Sequence, residues 1–83
     1  MHTESESVSS MRITLDRHAN AAYIYLAPIA PGGVAKCYPC DPLGVDGMIN
    51  LDFDAAGRLV GIEVLDASGK LPSKLLEEAE IIG

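Results

Sequence analysis

The segment from Met48 to Leu65 constrains the fold more tightly than any other part of the chain. Ile49, Leu51 and Phe53 alternate with Asn50, Asp52 and Asp54, and Val60, Ile62 and Val64 alternate on the way back. In a pleated strand successive side chains point to opposite faces, so a period of two marks a strand with one buried face. Asp54-Ala55-Ala56-Gly57 lies between the two runs. Four-residue hairpin loops are commonly built around a type I turn, and glycine takes a left-handed conformation at no steric cost. Parity then sets the pairing. A four-residue loop puts Phe53 opposite Arg58, Leu51 opposite Val60 and Ile49 opposite Ile62, so that the aliphatic sets share a face. A three-residue loop would set Asp52 beside Val60 and is disfavoured, because a slip of one residue turns every side chain over.

The same period recurs upstream. Met11, Ile13 and Leu15 alternate with Arg12 and Thr14, and Asp16 to Asn20 offers residues that tolerate turns. A returning strand, Ala21 to Leu26, carries Ala22, Ile24 and Leu26 on one face and Tyr23 and Tyr25 on the other. Pro28, Pro31, Gly32 and Gly33 end it. A shorter strand follows from Val34 to Tyr38, closed by Pro39, Pro42 and Gly44. Proline cannot donate to a ladder, which places this third strand at a sheet edge. After Asp66-Ala67-Ser68-Gly69 the period changes: Leu71, Leu75, Leu76, Ala79 and Ile82 fall near one face of a helix, with Pro72 in its first turn. The pattern predicts an α+β fold: a small antiparallel β-meander of four to five strands with one short C-terminal helix, residues 72–80, packed on one face.

With 83 residues, 48% of them hydrophobic and 22% charged, the chain fits a single domain over residues 11–83. A domain of this size leaves much of its surface exposed, which makes a homo-oligomer, most simply a dimer, an expected state. Residues 1–10 carry four serines and two glutamates and are expected to form a disordered tail, with Met11 as an alternative translation start to Met1. Twelve acidic residues against six basic ones give a formal net charge of -6. That sign disfavours nucleic acid and anionic lipid, and attracts a basic protein or a cation. No apolar run is long enough for a membrane span and the N-terminus lacks the pattern of a secretory signal, so the expected location is cytoplasmic.

Three blocks resemble the bacterial and archaeal family called domain of unknown function 2283. They are Met11-Arg12-Ile13-Thr14-Leu15-Asp16, Ala22-Tyr23-Ile24-Tyr25-Leu26, and the long run from Leu51-Asp52-Phe53-Asp54 through Gly57, Leu59-Val60-Gly61-Ile62-Glu63-Val64-Leu65 to Ala67-Ser68. The resemblance covers roughly Met11 to Ser68. It implies a small β-meander with a C-terminal helix and no particular chemistry. The chain departs from the family pattern in Pro28 to Gly47, a longer connection that contains both cysteines.

Few residues carry chemistry. Cys37-Tyr38-Pro39-Cys40 has the spacing of a redox or zinc motif, with His18, His2 or Asp41 as further ligands from the same chain. A reactive thiolate needs a helix N-terminus or nearby positive charge, and Lys36 is the only adjacent cation. Asp52 and Glu63 share a face with Asn50 between them, a pattern that fits a solvated strand face better than a catalytic pair. No nucleophile-base constellation is recognisable, and an enzyme is not expected. Tyr23, Tyr25, Leu59 and Leu65 point away from the face a helix would cover, which makes them the candidate interface. The reading that follows is a non-enzymatic interaction module that self-associates or pairs with a small, toxin-like partner. Its alternative is a metal-binding or weakly redox-active protein using Cys37, Cys40 and His18, with zinc as its cofactor; the leading reading needs none.

Overall fold

A computed structural model of the chain describes residues 11–41 and 47–83. Among the described residues six strands form one sheet: β1 (Arg12–Asp16), β2 (Ala21–Tyr25), β3 (Lys36–Cys40), β4 (Ile49–Phe53), β5 (Leu59–Leu65) and β6 (Glu80–Ile81). Two short helices, α1 (Ala67–Lys70) and α2 (Ser73–Glu78), lie between β5 and β6. The strand order is β3-β4-β5-β2-β1-β6. All neighbours are antiparallel except β1 and β6, which run parallel.

Alternation along the strands sorts the side chains as their period requires. Leu15, Ala22 and Val64 join Ala67 in the buried core, with Ile24, Ile49, Ile62, Leu71, Leu76 and Ala79 packed against them. Facing pairs on this side are Ile13 with Ile24, Leu15 with Ala22, Ala22 with Val64, Ile24 with Ile62, and Leu51 with Ile62. The helices therefore cover the aliphatic face. Residues of the other parity make up the second face.

Several expectations need correction. The sheet is not a simple meander of four to five antiparallel strands: β5 is inserted between β4 and β2, which joins a three-stranded unit to the β1–β2 hairpin. As the longest and most aliphatic strand, β5 gains most from burial on both sides, whereas the proline-bearing β3 takes the edge expected of it. The hairpin register also differs from the four-residue-loop pairing. Asp54 N–H donates to the Arg58 carbonyl and Gly57, at φ 83, donates to the Asp54 carbonyl, so the tight turn spans three residues. That loop alone would put Asp52 beside Val60. A β-bulge prevents it: Phe53 pairs with Leu59 but Asp52 pairs with Gly61, which leaves Val60 as the extra residue. Leu51 faces Ile62 and Ile49 faces Val64, so the shared aliphatic face is as expected and the partners are shifted by two.

The helix expected over residues 72–80 is present as α2 and stops short at Glu78, and a further short helix, α1, precedes it. Leu71, which precedes Pro72, is extended at φ -101 and ψ 146, as steric clash with the proline ring demands. Ala79 is extended again, and the chain then adds β6 beside β1. The disordered tail expected over residues 1–10 and the alternative start lie outside the described residues, apart from Met11 itself.

Candidate functional site

The second face is arranged in rows that cross the sheet. One row runs Cys37, Asp52, Gly61, Tyr25, Arg12 from β3 to β1. The next runs Pro39, Asn50, Glu63, Tyr23, Thr14, Glu80 from β3 to β6. Leu65, Ala21 and Asp16 follow in a third. Among the described residues, four carboxylates (Asp16, Asp52, Glu63 and Glu80) share these positions with a single basic side chain, Arg12.

Side-chain hydrogen bonds tie the rows together. Tyr23 leans diagonally across β5, and its hydroxyl donates to Asp52 Oδ2 at 2.6 Å. This reach depends on Gly61: a Cβ there would occupy the space of the Tyr23 hydroxyl and the end of its ring. Burial, then the hydrogen bond to Asp52 and that carboxylate's charge, push the Tyr23 phenol well above its ordinary value. Asn50 Nδ2 donates to Glu63 Oε1 at 2.8 Å. The Tyr23 and Tyr25 rings meet edge to face with centroids 4.7 Å apart. Over Tyr25, at 4.2 Å from the ring centroid, lies the Arg12 guanidinium, whose Nε is 3.5 Å from Glu80 Oε1.

Of the residues singled out as an interface, Tyr23, Tyr25 and Leu65 are half-buried on this face and Leu59 is 37% exposed. Tyr23 and Tyr25 are in contact, Leu65 sits one row away, and the bulge carries Leu59 toward the turn. The face is thus less apolar than its tyrosines and leucines suggested, because Tyr23 is held by a carboxylate and Tyr25 is covered by Arg12. Gly61 was missed as a positioning residue. A glycine inside an otherwise aliphatic strand is the signal that marks such a close approach.

The residues of the metal or redox alternative are spread out. Cys37 pairs with Asp52 and Cys40 with Ile49, so the two thiols project from opposite faces of β3. Three residues of strand separate their Cα atoms by about 10 Å, beyond the reach of a disulfide. Hydrogen bonding to Asp52, then desolvation, push the Cys37 thiol up, opposite to the shift that makes a thiolate reactive. His18 is exposed in the β1–β2 turn, where its N–H and that of Ala19 donate to Asp16 Oδ1. Asp41 is exposed and His2 lies outside the described residues. Among the described residues, no three or more His, Cys, Asp or Glu side chains gather where they could hold a metal ion. No helix among them is long and apolar enough to cross a membrane.

Two non-glycine residues with positive φ, Asn20 at 52 and Asp66 at 53, face each other at one end of the sheet. Asn20 Nδ2 donates to Asp66 Oδ1 and Ser68 Oγ, both at 3.0 Å, and Ala67 and Ser68 N–H groups donate back to Asn20. This network pins the β1–β2 turn to the start of α1 and is fully explained by that role.

The model of the family described as Protein of unknown function (DUF2283) matches residues 12–68, more than half of the chain, and the chain belongs to that family. The matched span holds β1 to β5 and every position of the outer face except those near β6. Neither the curated proteins nor the solved structures include a match.

Proposed function

We propose that this member of the family is a non-enzymatic interaction module whose outer sheet face binds a small basic protein. The observation that carries the reading is the fixed array of Asp16, Asp52, Glu63 and Glu80 around Tyr23 and Tyr25, with Arg12 as the only cation on the face among the described residues. Complementary charge steers association and sets partner choice, and aromatic rings add contact area that a cation can use. A toxin-like basic partner fits this chemistry. Self-association through the same face fits it less well, since a two-fold interface would set this predominantly acidic face against an equally acidic one. The β3 edge is the other route to a dimer, and Pro39 blunts it.

Binding of a labelled oligolysine peptide, read by fluorescence anisotropy at low salt, tests the reading. Glu63→Lys is expected to weaken binding about tenfold or more, whereas Glu77→Lys, an equal change of net charge on exposed α2, changes it less than about twofold. Equal effects of the two reversals, or no binding by the unaltered protein, would overturn it.

A further inference from the structure

β6 stands where the sheet would otherwise end in β1. It is two residues long and runs parallel to β1, with Ile81 at 43% exposure and Ile82, just beyond it, at 59%. The segment from Glu80 to Gly83 meets β1 at three points. Ile82 N–H donates to the Leu15 carbonyl at 3.0 Å. Glu80 Oε1 lies 3.5 Å from Arg12 Nε, with both side chains more than half exposed. Gly83 packs so closely on the Asp16 carboxylate that a Cβ there would collide with it. An exposed ion pair adds little stability, so this strap is held down by few and weak contacts.

Those contacts cover an edge that is complementary to itself. Leu15 turns its carbonyl toward β6, and main-chain groups alternate sides along a strand, so Ile13 and Leu15 carry the N–H and C=O groups of this edge. An antiparallel two-fold centred on Thr14 sets Ile13 opposite Leu15 of a second copy and Leu15 opposite its Ile13, a pairing that makes four main-chain hydrogen bonds. The same register sets Arg12 opposite Asp16 of the second copy and Asp16 opposite its Arg12. Both fall at the closely spaced pairs, where cross-strand side chains interact most. Moving the axis to Ile13 or Leu15 would set Arg12 opposite Thr14 or His18 and lose both charge pairs.

We infer that residues 80–83 are a strap over this edge, and that its release lets β1 pair with β1 of a second copy of the chain in the register centred on Thr14. The strap's polar contacts have their replacements across the two-fold. The Leu15 carbonyl exchanges the Ile82 N–H for the Ile13 N–H of the second copy, and Arg12 exchanges Glu80 for Asp16 of the second copy. Strap and second copy therefore compete for the same atoms, and the closed strap keeps the edge from pairing, as a covering segment does for an exposed strand. A second copy suits this edge because a two-fold uses the opposite charges of Arg12 and Asp16 twice. The association runs through the edge of the sheet and is independent of the basic partner proposed for its outer face.

Sedimentation velocity of the full chain over a range of concentrations tests the inference. Glu80→Lys combined with Ile82→Pro repels Arg12 and removes the strap's N–H, and is expected to tighten dimerisation about tenfold or more relative to the unaltered chain. Circular dichroism checks the fold of this released chain. Should it fail to fold, Ile82→Pro alone is expected to tighten dimerisation about threefold or more. In the released chain Arg12→Glu sets carboxylates opposite one another at both pairs and is expected to weaken the dimer about tenfold, whereas Lys74→Glu, an equal change of net charge on exposed α2, changes it less than about twofold. Dimerisation no tighter in the released chain than in the unaltered one would overturn the inference, as would equal effects of Arg12→Glu and Lys74→Glu.

Discussion

The helix-covered face and the open face of the sheet alternate along the same strands, yet different forces organise them. On the covered side Leu15, Ala22, Val64 and Ala67 lie at 9%, 1%, 3% and 0% exposure and interact by non-directional burial. On the open side Tyr23, Asp52, Asn50, Glu63 and Arg12 are half-buried or exposed and interact through particular atoms at particular distances. The difference teaches where each face is sensitive. The covered face responds to lost volume, and the open face responds to a displaced hydrogen bond.

Leu15→Ala should produce the largest effect. It removes a buried side chain from the centre of the core cluster and is expected to cost about 2–4 kcal/mol in urea denaturation. A cost below about 1 kcal/mol would erase the contrast between the faces. Gly61→Ala comes next, because its added methyl forces the Tyr23 hydroxyl off Asp52. An expected cost of about 1–2 kcal/mol reflects the lost charge-assisted hydrogen bond. The same variant should bring the Tyr23 phenol down toward 10.0, its ordinary value, in an ultraviolet titration. A perturbed Tyr23 titration with unaltered stability would show that the open face contributes little to folding.

Two smaller effects depend on pH. Folding holds Tyr23 in its neutral form, so its stabilisation is complete below pH 10.0 and declines as pH rises through the raised folded value. Tyr23→Phe should flatten that alkaline decline in thermal melts. Asp54 behaves in the opposite sense: the Arg58 N–H, then the Arg58 charge and the Ala56 N–H, hold its carboxyl below the ordinary 3.8 against a smaller desolvation effect. Its contribution is present above pH 3.8 and is lost as pH falls through the lowered folded value. Asp54→Asn should reduce the acid sensitivity of the hairpin while leaving the alkaline limb unchanged, which separates the turn from the open face.

Much of the fold was legible in single positions. Alternation at Ile49, Leu51, Ile62 and Val64 identified the covered face, and Pro39 identified the edge strand. Pro72 marked the start of α2, but α1 was not legible, since Ala67-Ser68-Gly69-Lys70 is too short to show a helical period. The bulge at Val60 was not legible, since it arises from the demand that a three-residue turn and a shared aliphatic face be met together. Of the candidate site, parity gave the outward direction of Tyr23 and Tyr25. It could not give the diagonal reach of Tyr23 over Gly61, nor the separation of Cys37 from Cys40, until β3 was known to be extended through both.

By itself the sequence determined which side chains share a face, because a pleated backbone alternates whatever its neighbours are. Strand order, the inserted position of β5 and the parallel addition of β6 were decided by the tertiary structure alone. These choices set residues distant in sequence side by side: Thr14 beside Tyr23 and Glu80, Tyr23 beside Glu63, and Asp52 within reach of the Tyr23 hydroxyl. Local periodicity carries no information about which strands become neighbours, since that depends on how the whole chain buries its aliphatic surface.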